Sequence, residues 1–261
     1  MSETISWPLK ITACLVLFFL VVPSFVVVPL SFSDSREMMF PPRGFSLMLY
    51  REYFAGPEWV AATVESAVVA SGAMVLSIVA GVPAAYAIVR SSFPGIHVVR
   101  AMVMMPMLVP TVVSALGLYL YFARVGISGT TGAIILGHAI HNLPFVVLVV
   151  IAGLRQVNVN IEIAAQVLGA SRMRTFFSVV LPPLFPSIVA AALFSFLLSF
   201  DEVVIAWFLT SPRALTLPIK MYSSIQWEVS PVLAAISTLL TLLSLVVCVA
   251  SLLLRKGEIS T

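Results

Sequence analysis

Six long apolar runs alternate with short polar stretches along the 261 residues, at about 11–32, 60–89, 98–122, 132–154, 184–209 and 232–254. Each is near the ~20 residues that an α-helix needs to cross a hydrocarbon core. The runs are continuous. Strands of a membrane barrel would instead span about ten residues and alternate in polarity. The pattern therefore predicts an all-α membrane protein with six transmembrane helices. The first run is longer than the apolar part of a secretory leader and lacks a small-x-small cleavage site, so it reads as an uncleaved helix.

Composition strengthens this class. The chain is 61% hydrophobic and 10% charged, with a mean hydropathy of +1.11, whereas soluble domains carry about a quarter charged residues. Cys14 and Cys248 both lie inside apolar runs and point to neither a disulfide framework nor a metal site. There is no Walker-type phosphate loop and no Cys/His cluster with zinc spacing. No catalytic residue, metal or cofactor is expected in the chain. A net charge of +3 fits basic loops flanking a membrane better than nucleic-acid binding.

Lys and Arg orient the spans. An N-in, C-in arrangement places Lys10, Arg90, Arg100, Arg155, Arg172, Arg174, Arg255 and Lys256 inside. Arg36, Arg43, Arg51, Arg124, Arg213 and Lys220 fall outside. The bias is small but has the sign of the positive-inside rule. It puts the 160–182 stretch in the cytoplasm and a long loop, about 33–59, outside. That outer loop alternates aromatics with charges and predicts an interfacial amphipathic helix, started by Pro41-Pro42 and stopped by Gly56-Pro57.

The 162–182 stretch, EIAAQVLGASRMRTFFSVVLP, is the most distinctive in the chain. Asn160 is a candidate N-cap for a short helix over 160–168, with Glu162 in its first turn at the positive end of the macrodipole. Gly169 can end that helix in a left-handed conformation. Ser171 is a candidate N-cap for a second helix over 172–180, and Pro182, Pro183 and Pro186 are expected to redirect the chain into the next span. The spacing is Ala164-Ala165, three residues, Gly169, nine residues, Val179, one residue, Leu181-Pro182. It resembles the cytoplasmic coupling loop of ABC-importer permeases, in which Glu-Ala-Ala, three residues and Gly precede nine residues, Ile, one residue and Leu-Pro. One departure stands out: the usual acid six positions before the glycine is Ile163 here, and Glu162 lies one place earlier.

The segments FPPRGFSLMLYREYFAGPEW, GVPAAYAIVRSSFPG, LSFDEVVIAWFLTSPRALTLPIKMYSSI and VSPVLAAISTLL extend the likeness from about residue 40 to 254. They resemble the polyamine (spermidine and putrescine) permeases, binding-protein-dependent importers of type I. The resemblance implies a type I permease fold of the bacterial inner membrane. Residues 1–59 would form an N-terminal helix and periplasmic segment, 60–254 the permease core and 255–261 a cytoplasmic tail. It implies coupling to an ATPase dimer through Glu162, Ala164, Ala165, Gly169, Ala170, Ser171, Leu181 and Pro182. ATP and Mg would be bound by those ATPase subunits. The other implied partners are a second, different permease chain, a periplasmic binding protein and the bilayer. Related permeases carry ferric iron or aminophosphonates, so fold alone does not fix the cargo.

Asp201 and Glu202 sit in the outer half of the fifth run. A carboxylate near mid-bilayer costs about 2.5–3.5 kcal/mol on insertion scales and usually faces a pathway or a partner. On a continuous helix the two would point about 100° apart, and Asp201 is the better candidate for a cationic cargo. The competing reading places both at the outer interface, hydrated or paired with Arg213 or Lys220. Glu65 is a candidate for the pathway entrance or for a solvated helix end. His138 and His141 share a helix face with Asn142, a pattern that favours interhelical hydrogen bonding over metal binding. An ion-driven secondary transporter would predict inverted repeats, and none is evident.

Overall fold

The computed structural model describes residues 7–227 and 229–258, with side chains at 8 and 246–258 left undescribed. Glu3, Glu228 and the last three residues of the 255–261 tail lie outside the described residues. So do the side chains of Cys248, Arg255 and Lys256. The described chain is helical: α1 Trp7–Ser31, α2 Met48–Ala55, α3 Pro57–Arg90, α4 Ile96–Leu108, α5 Thr111–Val125 and α6 Thr131–Leu154. Then follow α7 Val159–Val167, α8 Arg172–Thr175, a π-helical turn at Phe176–Val180, α9 Leu181–Phe200, α10 Val204–Leu209, α11 Leu217–Trp227 and α12 Val232–Glu258.

Four helical stretches among the described residues are long and apolar enough to cross a membrane: Leu9–Ser31, Pro57–Arg90, Thr131–Leu154 and Arg172–Phe200. A fifth arises if α4 and α5 count as one broken span, bent by 106°. The expected straight span over 98–122 is therefore corrected to two helices. The break falls at Val109-Pro110, where the ring of proline disfavours the α region for the preceding residue; Val109 is extended at ψ 132°. The final apolar run is helical, and its described apolar part covers Val232–Leu245.

Contacts divide the chain into two units, residues 1–60 with 221–261 and residues 61–220. In the first, α12 packs on α1 and α2. Leu49 and Tyr53 are buried on α2, and Ser31 shares a hydrogen bond with Tyr50 (2.7 Å). The amphipathic helix expected within 33–59 begins only at Met48, beyond Pro41-Pro42, and ends at Gly56 as expected. In the second unit α6 is central: α4, α9 and α10 pack on it. One core cluster joins Val82, Ala85, Val146, Val150, Leu154, Val180 and Leu184. Another joins Val69, Ala115, Ile134, Ile205 and Leu209.

Close helix approach explains two glycines. A Cβ at Gly81 would lie 2.7 Å from Cγ1 of Val146, and one at Gly137 would lie 2.9 Å from side-chain carbons of Ile205 and Leu209. Small residues of this kind let helix backbones approach in a bilayer, where dispersion and hydrogen bonds drive association. Gly117, by contrast, faces open space.

Candidate functional site

The loop after α6 is built from local signals. Asn158, two residues before the expected cap, accepts a hydrogen bond from the Asn160 amide (3.0 Å) and starts α7. Gly169 ends it at φ +90°. The Ala170 amide donates to Ala165 O and the Gly169 amide to Gln166 O, both at 3.0 Å. That pair of bonds is a Schellman cap, which satisfies the orphan carbonyls and requires a left-handed residue at Gly169. Ser171 caps the next helix, accepting from the Arg174 amide (3.3 Å).

The expected second short helix over 172–180 is corrected. Helical structure runs unbroken from Arg172 through the π turn to Phe200. Pro182 and Pro183 have no N–H, and their rings crowd the carbonyls of Ser178 and Val179 four residues back. A wider π turn just before them absorbs that crowding. Leu181 and Pro182 thus lie within one long apolar helix whose first turns form the second half of the loop. Gly169 is the joint between this long helix and α7.

Glu162 is only 4% exposed. Arg90 Nη2 lies 2.7 Å and Nε 2.9 Å from its Oε1, and Tyr86 donates its hydroxyl to Oε2 (3.2 Å). Arg90 Nη2 also donates to the carbonyls of Val157 (3.0 Å) and Leu154 (3.3 Å). Removing one partner of a buried pair typically costs about 3–5 kcal/mol, because the other is left charged and unpaired. The acid expected to face a partner is therefore held inside the chain. Ile163, at the usual acidic position, is 53% exposed, and the outward surface continues through Val167 and Leu168, 81% and 87% exposed. Ala164 is exposed, with Ala165 and Ala170 half-buried beside it. Arg90 was missed as a site residue by sequence reasoning; its signal was a cation at the end of an otherwise apolar run.

At the opposite end of α9, the expected continuous helix through Asp201 and Glu202 is corrected. α9 ends at Phe200, and α10 begins at Val204. Asp201 caps the C-terminus of α9 and is exposed. Glu202 turns back on the next helix: Oε1 accepts from the Val204 amide (3.0 Å), and Oε2 from the Ile205 (2.8 Å) and Ala206 (3.2 Å) amides. A carboxylate on the first amides of a helix offsets both orphan donors and the dipole. Glu202 Oε2 also lies 3.5 Å from His138 Nε2.

Below it, α6 and α9 share a buried polar seam. His138 Nδ1 pairs with Ser199 Oγ (2.8 Å), and Asn142 Nδ2 donates to Ser195 O (3.0 Å) and approaches Ser195 Oγ (3.3 Å). Interhelical hydrogen bonding, the reading favoured for these residues, is what they do. His141 instead packs on Phe145 with ring centroids 6.1 Å apart. Among the described residues no group of three or more His, Cys, Asp or Glu is placed to hold a metal. Glu65 accepts from the Thr131 hydroxyl (2.5 Å), tying α3 to the start of α6.

The protein family described as the binding-protein-dependent transport system inner membrane component matches residues 77–256. The spermidine/putrescine transport system permease protein PotC of Escherichia coli is 32% identical over 240 residues, 92% of this chain and 90% of that protein. The putrescine transport system permease protein PotI of Escherichia coli is 32% identical over 229 residues, 85% of this chain and 81% of that protein. A bacterial ABC transporter involved in the import of the acidic polysaccharide alginate shares the fold. Its TM-score is 0.73 at 15% identity, over 98% of this chain and 99% of that one. The chain belongs to the binding-protein-dependent transport system inner membrane components: it is a non-catalytic permease subunit of an ABC importer, with ATP handled by a partner ATPase.

Proposed function

We propose that this permease imports polyamines, putrescine or spermidine, or a related small amine, by alternating access. The observation that carries the cargo is the 32% identity to PotC over nine-tenths of both chains. The exposed carboxylate of Asp201, at the break between α9 and α10, is chemically suited to a cationic amine. A periplasmic binding protein delivers the cargo to the outer face. Two ATPase subunits press on loop 158–182, and their closure opens the paired permeases outward. On this reading the chain has six spans with both termini in the cytoplasm. Residues 1–59 precede a permease core at 60–254, and 255–261 form the tail. The partner permease is a different chain.

The coupling contact is the α7–Gly169–α8 elbow. Ala164, Ala165, Ala170 and Ser171 let a partner approach the backbone, Leu181 and Pro182 carry the motion into α9, and Val167 and Leu168 offer exposed apolar surface. Glu162 serves the elbow from within. Aminophosphonate or ferric iron is the alternative cargo.

The test is ATP hydrolysis by the assembled complex in lipid, with its binding protein and a panel of amines. Stimulation by putrescine or spermidine is the expected result. Stimulation only by a different solute would reject the polyamine, and failure of any ATPase to assemble with the chain would reject the coupling loop. Copurification with copies of itself alone would reject the heterodimer.

A further inference from the structure

We propose that Arg90 is a positioning residue of the coupling step, fastening α7 to α3 and α6 so that a push on the loop moves these helices as one body. The inference rests on the coupling role of loop 158–182 proposed above.

Arg90 is the last residue of α3, and its guanidinium reaches three elements at once. It pairs with Glu162 of α7 (2.7 Å). It donates to Leu154 O at the end of α6 and to Val157 O in the turn that follows. The last carbonyls of a helix lack intrahelical donors, so the Arg90 fork fills a need that α6 creates. Tyr86, one turn back on the same face of α3, fills the other oxygen of Glu162. The Tyr86 ring also packs edge-on against Phe176 in the π turn, with centroids 5.0 Å apart. One face of α3 thus grips α6, α7 and the base of the long α8–α9 helix.

A joint needs such a grip. Gly169 sits at φ +90° with nothing within 4 Å of where a Cβ would be, so no packing stiffens it. The 155–158 turn is the other covalent attachment of α7. Force applied to α7 would rotate it about these two ends unless a contact between them resists. The Arg90–Glu162 pair lies between them, and its 5% side-chain exposure at Glu162 shields it from water and from salt screening. The guanidinium's planar fork is what allows simultaneous hold on a carboxylate and two carbonyls; a lysine ammonium has the charge but not the reach to all three.

Three variants in the reconstituted complex test this: Arg90→Gln, Glu162→Gln and Arg90→Lys. Both ATP hydrolysis and substrate uptake are measured on equal amounts of assembled complex. The glutamine variants are expected to keep hydrolysis and lose uptake per ATP, with Arg90→Lys recovering part of it. Wild-type uptake per ATP in Arg90→Gln, or a strictly proportional fall of both activities, would overturn the proposal. A second measurement needs neither activity nor partner. With Cys14 and Cys248 replaced by serine, spin labels at Ser91→Cys and Ile163→Cys report the α3–α7 separation, which should be narrow with Arg90 and broad with Arg90→Lys or Arg90→Gln. An unchanged distribution would also overturn it. If no ATPase assembles with the unaltered chain, the coupling reading fails first, and the spin-label distances still decide whether the clamp exists.

Discussion

Replacing Gly169 separates two reasons the proposed coupling loop would need glycine, backbone conformation and room for a partner. Its φ of +90° closes the Schellman cap of α7, and the space that a Cβ would occupy there is empty in the chain itself. Any cost within the subunit is therefore torsional and not steric. An ordinary L-residue in a left-handed conformation costs about 1–2 kcal/mol, while asparagine tolerates it far better. Gly169→Asn and Gly169→Leu have similar bulk but differ in that torsional cost. A penalty of about 1–2 kcal/mol changes the ratio of closed to open elbow roughly 5–30-fold. Trypsin cleavage after the exposed Arg172 and Arg174 reads the opening directly in membranes, and uptake by the assembled complex reads its consequence. The leucine variant should be cleaved faster and transport less, with asparagine close to wild type. Equal impairment of both variants would refute the torsional account and make bulk at the partner surface the cause.

Two further predictions concern the bundle. Asp201→Asn should weaken uptake of cationic substrates while sparing complex assembly, whereas Glu202→Ala should lower the stability of the subunit by about 1–2 kcal/mol, since it strips three helix-terminal amides of their acceptor; uptake kinetics and thermal aggregation of the purified chain distinguish them. Gly81→Leu should destabilise the α3–α6 contact by about 1–3 kcal/mol through overpacking against Val146, while Gly117→Ala, inside α5 with open space around it, should raise stability by about 0.4–1 kcal/mol, read as a small rise in melting temperature.

The long uninterrupted helices were legible from hydrophobicity alone. The run at 60–89 lies within α3 Pro57–Arg90, and that at 132–154 matches α6 within one residue. Twenty apolar residues in a bilayer have few alternatives to a helix that satisfies its own backbone. Interruptions were not legible, because apolarity does not change where the helix stops. Val109-Pro110 breaks α4 from α5, yet Pro83, Pro106, Pro144 and Pro186 lie inside helices. Whether a proline breaks a span depends on whether neighbouring groups take up the freed carbonyl, which is a tertiary fact. Conversely, the cap residues Gly169 and Ser171 act through their own local geometry, so their positions in the loop were readable one residue at a time.

Carboxylates show where such local reading ends. A buried carboxylate must find donors, but the chain order does not say whether they belong to a partner, a cargo or the protein itself. Glu162 looked like a group for an ATPase and is taken up by Arg90 and Tyr86, more than seventy residues earlier in the chain. Glu202 looked like one half of a cargo pair and is taken up by the amides of α10, close to His138. Both assignments turn on a break or a crossing that the hydrophobic pattern does not mark. What remains for outside partners is what the protein leaves unsatisfied or exposed: Asp201 at the end of α9, and the apolar positions Ile163, Val167 and Leu168 on the outward side of α7 and its C-cap. On the coupling reading proposed above, an elbow with exposed Ile163, Val167 and Leu168 would engage its ATPase through shape and apolar contact. Restoring the charge with Ile163→Glu should therefore weaken assembly with the native ATPase, and tighter binding by that variant would show that the partner still presents a cation there.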